Sequence, residues 1–276
     1  MRSMVAVLLA GAMTLAGSAG AAASELEVGG MIVYEAGEPV AQSELSDLGS
    51  PESLGGTVVA GDPRISARID HARGGVLAGV FQATRGSVLI HFPFTEHATI
   101  LEGEVRLTDQ WGNRASLQAG DSYFIRQGSD ILWEVNGPRV QKSFFNRTET
   151  TDAPAPMVVY DAHREVAQDE LTDLGDPEGL GGTVLSGDPR ISARIDHAGE
   201  QALAGVFQAT RGDVRIAFPF TEHATVLSGA VTLTDQTGAQ RRLAVGDSYL
   251  IRQASSILWQ VGQSRVQKSF FNEVER

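Results

Sequence analysis

The 276-residue chain has no cysteine. No disulfide, thiolate nucleophile or cysteine-bound metal is open to it, and there is no cysteine to carry a lipid. Positive charge is scarce: 22 Lys+Arg face 34 Asp+Glu, a formal net charge of −12. That balance argues against nucleic acid and anionic membrane surfaces as partners, both of which need basic patches. It leaves a small-molecule partner open, because a pocket can be locally basic in an acidic protein. The chain lacks G-x-S-x-G and the phosphate-cradling G-x-x-x-x-G-K. It lacks helix-length apolar periodicity. Its one long apolar run, Met4 to Gly17, falls short of the roughly 20 residues that a spanning helix needs. Arg2 precedes that run and Ala21-Ala22-Ala23 follows it, the pattern of a signal peptide over 1–23. The expectation is a mature chain from Ser24, periplasmic or secreted, with no membrane attachment after cleavage.

What the chain does contain is one sequence written twice. Met31 to Asn146 matches Met157 to Asn272 at a constant offset of 126 residues without a gap, and about 80 of the 116 pairs are identical. A repeat this long is a domain rather than a solenoid unit. The reading is a first domain over 24–147, a polar Pro-containing linker over 148–156 (Arg147 to Pro156 reads RTETTDAPAP), and a second domain over 157–276.

Each copy opens with an apolar strand, Met31 to Tyr34 or Met157 to Tyr160. A polar stretch from Glu35 to Gly56 follows, with one short helical turn expected around Glu44 to Leu48. Beyond it, short apolar or alternating runs predict strands at 57–60, 65–71, 77–84, 87–92, 98–108, 122–126, 131–135 and 140–145. Asp109-Gln110-Trp111-Gly112 and Asp235-Gln236-Thr237-Gly238 read as hairpin turns. About eight strands in some 115 residues indicate an all-β fold of two tandem jelly-roll β-barrel domains. Jelly rolls commonly pair to cover strand edges, so a homo-oligomer stays open.

Two segments carry a family resemblance. Glu96 lies seven residues before Gly103 in Ile100-Leu101-Glu102-Gly103-Glu104-Val105, which resembles the first motif of the cupins. Ala119-Gly120-Asp121 through Gln127-Gly128 resembles the second. Trp133-Glu134-Val135 and Arg139-Val140-Gln141-Lys142 are similar to the subgroup that includes ethanolamine-utilisation and ureidoglycine aminohydrolase-like cupins. The second copy carries Glu222, Gly229, Gly246, Asp247, Trp259, Val261, Arg265 and Lys268 at the same places. The resemblance implies a bicupin. It also implies a divalent metal (Mn, Fe, Ni or Zn) held by an H-x-H pair, the motif-one Glu and a motif-two His. Glu96 and Glu222 are present. The H-x-H positions fall on Ile90 and Phe92, or on Leu89 and His91, and the motif-two position falls on Ile131 and Ile257. One carboxylate with one or two His is below the usual three protein ligands. The expectation is no such metal site and no cofactor, with His91, Glu96 and His97 as the weak alternative set.

Among polar residues present in both copies, Glu96/Glu222 and Lys142/Lys268 are the candidate catalytic pairs. Lys142 falls between Val140 and Phe144 on the apolar face of a strand, which is costly for a lysine without a partner. It is read either as half of a buried pair tying the barrel or as a pocket group, with Glu96 as acid or base. Phe94, Tyr123, Trp133, Phe220, Tyr249 and Trp259 are candidate ligand-binding residues, with core packing the alternative for the aromatics. Asn146-Arg147-Thr148 fits a glycosylation triplet by letter alone. The leading expectation is an exported bicupin binding a small polar or anionic molecule. The alternatives are an isomerase, lyase or amidohydrolase using Glu96/Glu222, and a structural role with filled barrels. The copies differ at His91/Ala217, Glu102/Ser228, Trp111/Thr237, Asp130/Ser256 and Glu134/Gln260. That pattern points to the first copy as the one to keep a function if the other has lost it.

Overall fold

The computed structural model describes residues 30–148 and 153–275, so the expected signal peptide and residues 149–152 of the expected linker lie outside the described residues. Strands alternate with turns throughout. In the first copy they are β1 Met31–Tyr34, β2 Ser46–Gly49, β3 Thr57–Gly61, β4 Ile65–Arg73, β5 Val76–His91, β6 Thr95–Glu102, β7 Glu104–Asp109, β8 Arg114–Gln118, β9 Ser122–Ile125 and β10 Asp130–Arg147. The second copy repeats them as β11 Val158–Tyr160, β12 Thr172–Gly175, β13 Gly182–Gly187, β14 Ile191–Ala198, β15 Ala202–Ala217, β16 Thr221–Ser228, β17 Val231–Thr234, β18 Gln240–Leu243, β19 Ser248–Ile251 and β20 Ser256–Glu273. Short 3-10 turns at Gln42–Glu44 and Pro51–Leu54 replace the single helical turn expected near Glu44 to Leu48.

Two long strands make each barrel. The amino-terminal half of β5 pairs with β4 and its carboxyl-terminal half with β3. Residues Gln141 to Arg147 of β10 pair with β6, while Ile131 to Glu134 pair with β7. Each long strand thus serves two half-sheets and turns the corner between them. The turn in β5 falls at Gly86, where an added Cβ would meet the Pro63 ring at 2.8 Å. The turn in β10 is a register shift between Val135 and Arg139. These corners explain why four expected strands merge into two. Conversely, the run expected over 98–108 divides at Gly103, where φ is +81° and an added Cβ would lie 2.3 Å from the Arg139 carbonyl oxygen. Ser46–Gly49 and Arg114–Gln118 were not expected as strands, because each presents little buried apolar surface.

The sheets do not follow the repeat boundary. The first runs β11-β9-β6-β10-β5-β4-β2 and the second β1-β19-β16-β20-β15-β14-β12. The opening strand of each copy therefore completes the other copy's sheet. One compact unit spans Ala36–Val159, and the other spans Tyr160–Arg276 together with the segment that contains β1. The expected division at 147 and 157 follows the sequence repeat, whereas β1 and β11 pair across it.

Each unit has its own core. In the first, Ala98, Ile100, Tyr123, Ile125 and Phe144 from one half-sheet meet Val105, Leu107, Leu117 and Trp133 from the other. Outside that core, Gln141 bonds to the Val40 backbone in both directions and to Gln82, which bonds to Gln42. Gln267, Gln208, Gln168 and Val166 repeat the pattern. Arg68 reaches Glu44 and Asp70, as Arg194 reaches Glu170 and Asp196. These residues, present in both copies, pin the polar stretch to the sheet and are structural.

Candidate functional site

Antiparallel register brings four strands' inward residues together in the first barrel. Glu96 on β6 lies opposite Ile125 on β9 and Asn146 on β10. Lys142 on β10 lies opposite Ile100 on β6 and Phe81 on β5. The period of two keeps Val140, Lys142, Phe144 and Asn146 on one face. Lys142 Nζ donates to Glu96 Oε1 at 2.5 Å and to the Tyr123 hydroxyl oxygen at 2.7 Å. The Tyr123 hydroxyl in turn donates to Glu96 Oε1 at 2.5 Å. The ammonium lies 4.9 Å from the centroid of the Trp133 ring, 5.3 Å from that of Phe81 and 5.4 Å from that of Tyr123. Lys142, Glu96 and Tyr123 are 6 %, 2 % and 0 % exposed.

The second barrel reproduces this cluster. Lys268 Nζ lies 2.5 Å from Glu222 Oε1 and 2.8 Å from the Tyr249 hydroxyl, and Trp259, Phe207 and Tyr249 enclose it. Burial pushes each ammonium below the ordinary lysine range, and the adjacent carboxylate offsets only part of that. Burial, the neighbouring glutamate charge and the hydrogen bond to it raise both tyrosines well above the ordinary range, so their hydroxyls remain protonated.

Above the first cluster lies a cavity of about 150 Å³. Its wall is apolar, including Leu54, Ile69, Leu77, Phe81, Phe94 and Trp133, and its polar members are Glu96, Lys142 and Asn146. Trp133 Nε1 and Asn146 Oδ1 are buried without hydrogen-bond partners, as are Trp259 Nε1 and Asn272 Oδ1. All twenty residues that line the cavity recur unchanged in the second copy, and the 36 differing pairs lie elsewhere. Differences scattered evenly would have placed about six on the wall.

The structure therefore assembles Glu96, Lys142, Tyr123, Trp133 and Phe94, and in the second copy the same cluster of Glu222, Lys268, Tyr249 and Trp259. It separates the weak metal set. His97 points to the face opposite Glu96, in register with Phe145 and Phe124. His91 is exposed and bonds to Asp130 at 2.7 Å. Among the described residues no three His, Asp or Glu converge on one point, and Ile131 and Ile257 are core residues. The donor set does not fit a divalent ion, since the nearest group to Glu96 is itself a cation.

Sequence reasoning missed Phe81 and Asn146. Asn146, which fits a glycosylation triplet by letter, is buried in the cavity wall and unavailable to modification. The signal for it was its position four residues after Lys142 on the same strand face. A second signal was in the composition: Lys142 and Lys268 are the chain's two lysines, and the other twenty cations are arginine.

The model of the EutQ-like cupin domain matches residues 71–144 and again 197–270, together more than half of the chain. The chain belongs to the EutQ-like cupin family. Both matches end within the β10/β20 pair that carries the cupin's lysines. Among solved structures, a protein of unknown function from Pseudomonas syringae pv. tomato, assigned to the DUF861 family, is 18% identical with a TM-score of 0.67. The alignment covers 88% of this chain and 99% of that one. A cupin 2 conserved barrel domain protein from Leptotrichia buccalis is 9% identical with a TM-score of 0.51, over 76% of this chain and 88% of that one. At these identities the likeness is one of fold. No curated protein matches the sequence.

Proposed function

We propose that this bicupin binds, in each barrel, a small molecule with an apolar body and a neutral polar head seated on the Lys–Glu–Tyr cluster. The cavity carries this reading. Its volume, about 150 Å³, is that of cavities that hold a benzene-sized ligand. It disfavours a first barrel filled by its own side chains. The apolar wall favours an apolar body over the small polar or anionic molecule expected from sequence. Glu96 already neutralises Lys142, so the cluster presents no net charge to an anion. Trp133 Nε1 offers a donor and Asn146 Oδ1 an acceptor, and an unpaired buried polar group costs roughly 1–3 kcal/mol until something bonds to it.

The ammonium supplies, beside Glu96, the positive charge a metal would bring, and we read both barrels as working without one. Stoichiometric Mn, Fe, Ni or Zn in the purified protein would overturn that. Glu96 Oε1 already accepts from Lys142 and Tyr123, which favours binding over a role for Glu96 as a free general base toward ligand. After loss of 1–23 the chain would act in the periplasm or outside the cell.

Three tryptophans make the test direct. Trp111 is exposed in a turn, whereas Trp133 and Trp259 lie beside the two lysines. In a Trp111→Phe background, tryptophan fluorescence reports the two barrels. Titration with 1-hexanol should give a saturable change with two equivalents per chain, and hexanoate a weaker one. A flat response to both would overturn the proposal.

A further inference from the structure

We infer that Lys142 and Lys268 are amine nucleophiles that capture the carbonyl group of a small apolar aldehyde or ketone as an iminium adduct. This rests on the binding reading above and names its ligand class. It begins from the choice of cation. Everywhere else the chain uses arginine, twenty times, and lysine appears only at these two equivalent buried positions. As a point charge either residue would serve, and a buried ion pair is no more stabilising than a well-packed apolar pair. Lysine differs from arginine in one chemical respect that matters here: its nitrogen can shed a proton and become a nucleophile.

The surroundings suit that chemistry. Lys142 forms part of the cavity wall together with Glu96, its carboxylate partner. Desolvation weakens the hold of that nitrogen on its proton. Glu96 Oε1, at 2.5 Å, is placed to receive the proton. The Tyr123 hydroxyl, 2.7 Å from Nζ, stays protonated and can donate to the departing oxygen. Two of the three Nζ hydrogens are used by Glu96 and Tyr123, and the Trp133 and Phe81 rings flank the ammonium.

Lys142 passes a proton to Glu96, and the free amine adds to the carbonyl carbon to give a carbinolamine. Tyr123 protonates the carbinolamine oxygen, which leaves as water while the nitrogen lone pair forms the C=N bond. Glu96 returns its proton to the tyrosinate, leaving a cationic iminium beside the Glu96 carboxylate. Net, R2C=O and Lys-NH3+ give Lys-NH+=CR2 and H2O, with no oxidant or reductant.

The test uses the full-length chain, hexanal and cyanoborohydride, read by intact mass and peptide mapping. Only the amino terminus, Lys142 and Lys268 can be labelled, and no thiol competes. Expected are one hexyl group on each lysine at pH 7 and a labelling rate that rises with pH well below the ordinary lysine range. Labelling confined to the amino terminus, or lysine labelling that rises only near pH 10 as for a free lysine, overturns the inference. In Glu96→Gln, Lys142 labelling should fall at least tenfold while Lys268, in the unaltered barrel, keeps its rate; unchanged Lys142 labelling would refute the proton-acceptor role. Saturable 1-hexanol binding without lysine trapping would sink the imine and leave the binding reading standing, whereas failure of both would sink both.

Discussion

On the first barrel, Arg139 is held by Glu102 at 2.7 Å. In the second, Ser228 stands where Glu102 was, and Glu165, replacing Pro39, reaches both Ser228 and Arg265. Other exchanges are also made in pairs. Arg106 and Glu134, joined at 2.8 Å, become Thr232 and Gln260. His91 and Asp130, joined at 2.7 Å, become Ala217 and Ser256. Partners have changed together on the outside while the twenty wall residues have not changed at all. Exposed ion pairs are worth about 0–1 kcal/mol, so such exchanges cost little. Four of the five differences that pointed to the first copy as the functional one, all but Trp111/Thr237, are therefore paired substitutions outside the cavity. They do not reach the cavity wall, whose twenty residues are the same in the two copies.

The sharpest way to break that equivalence is to unbalance one cluster at a time. Glu96→Gln leaves a buried ammonium without its carboxylate in the first barrel, and Glu222→Gln does so in the second. Each should cost about 3–5 kcal/mol in urea unfolding, the usual loss when one partner of a buried pair is removed. A difference of more than about 2 kcal/mol between the two would show that the clusters carry different loads.

The exchanged strands offer a second asymmetry. Tyr34 is 3% exposed on β1, which pairs with β19 in the second sheet. Tyr34→Ala should destabilise the second unit by about 3–4 kcal/mol, within the range for deleting a buried aromatic. Hydrogen exchange should accelerate at Ser248–Ile251 and not at the equivalent Ser122–Ile125. Equal acceleration in both would contradict the sheet assignment.

Acid tests a buried group of the second unit. Burial holds His223, 6.4 Å from the Tyr34 ring, down to a pKa of about 3, so the native state keeps it neutral. The unfolded chain binds that proton near pH 6.5. The stability that a neutral His223 contributes is complete above pH 6.5 and is lost as pH falls toward 3, amounting to about 3 kcal/mol by pH 4. His223→Gln should flatten that part of the stability profile; an unchanged slope between pH 6.5 and 4 would show that other groups set it.

Much of this was legible beforehand for physical reasons. Alternation within Val140 to Phe144 fixed which face Lys142 occupies, and the duplication isolated it with Glu96. Asp109-Gln110-Trp111-Gly112 turned as expected, with Gly112 N donating to the Asp109 carbonyl and the Asp109 carboxylate taking the Trp111 and Asn113 amides. The strand exchange was not legible, because an apolar run such as Met31 to Tyr34 specifies pairing and burial but not which sheet receives it. Nor was the apolar cavity wall: Leu54, Ile69 and Phe81 are far apart in sequence, and only the corners at Gly86 and Val135–Arg139 bring them around one space.

The smallest expected effect tests whether the outer differences are as inert as their pairing implies. Arg106 and Glu134 make a bidentate contact at 2.8 and 2.9 Å across β7 and β10, with the Arg106 side chain 48% exposed. Hydrogen bonding to Arg106 lowers the Glu134 carboxyl below its ordinary range, so the pair is formed at neutral pH. Solvent screening keeps its worth small. A double-mutant cycle with Arg106→Thr and Glu134→Gln, the residues found in the second copy, should return a small coupling, and the double variant should be about as stable as either single variant. Binding of 1-hexanol should be unmoved in all three. A loss of binding in the double variant would mean that the outer face is coupled to the wall, and that the second barrel, which carries those residues by nature, is tuned to a different ligand.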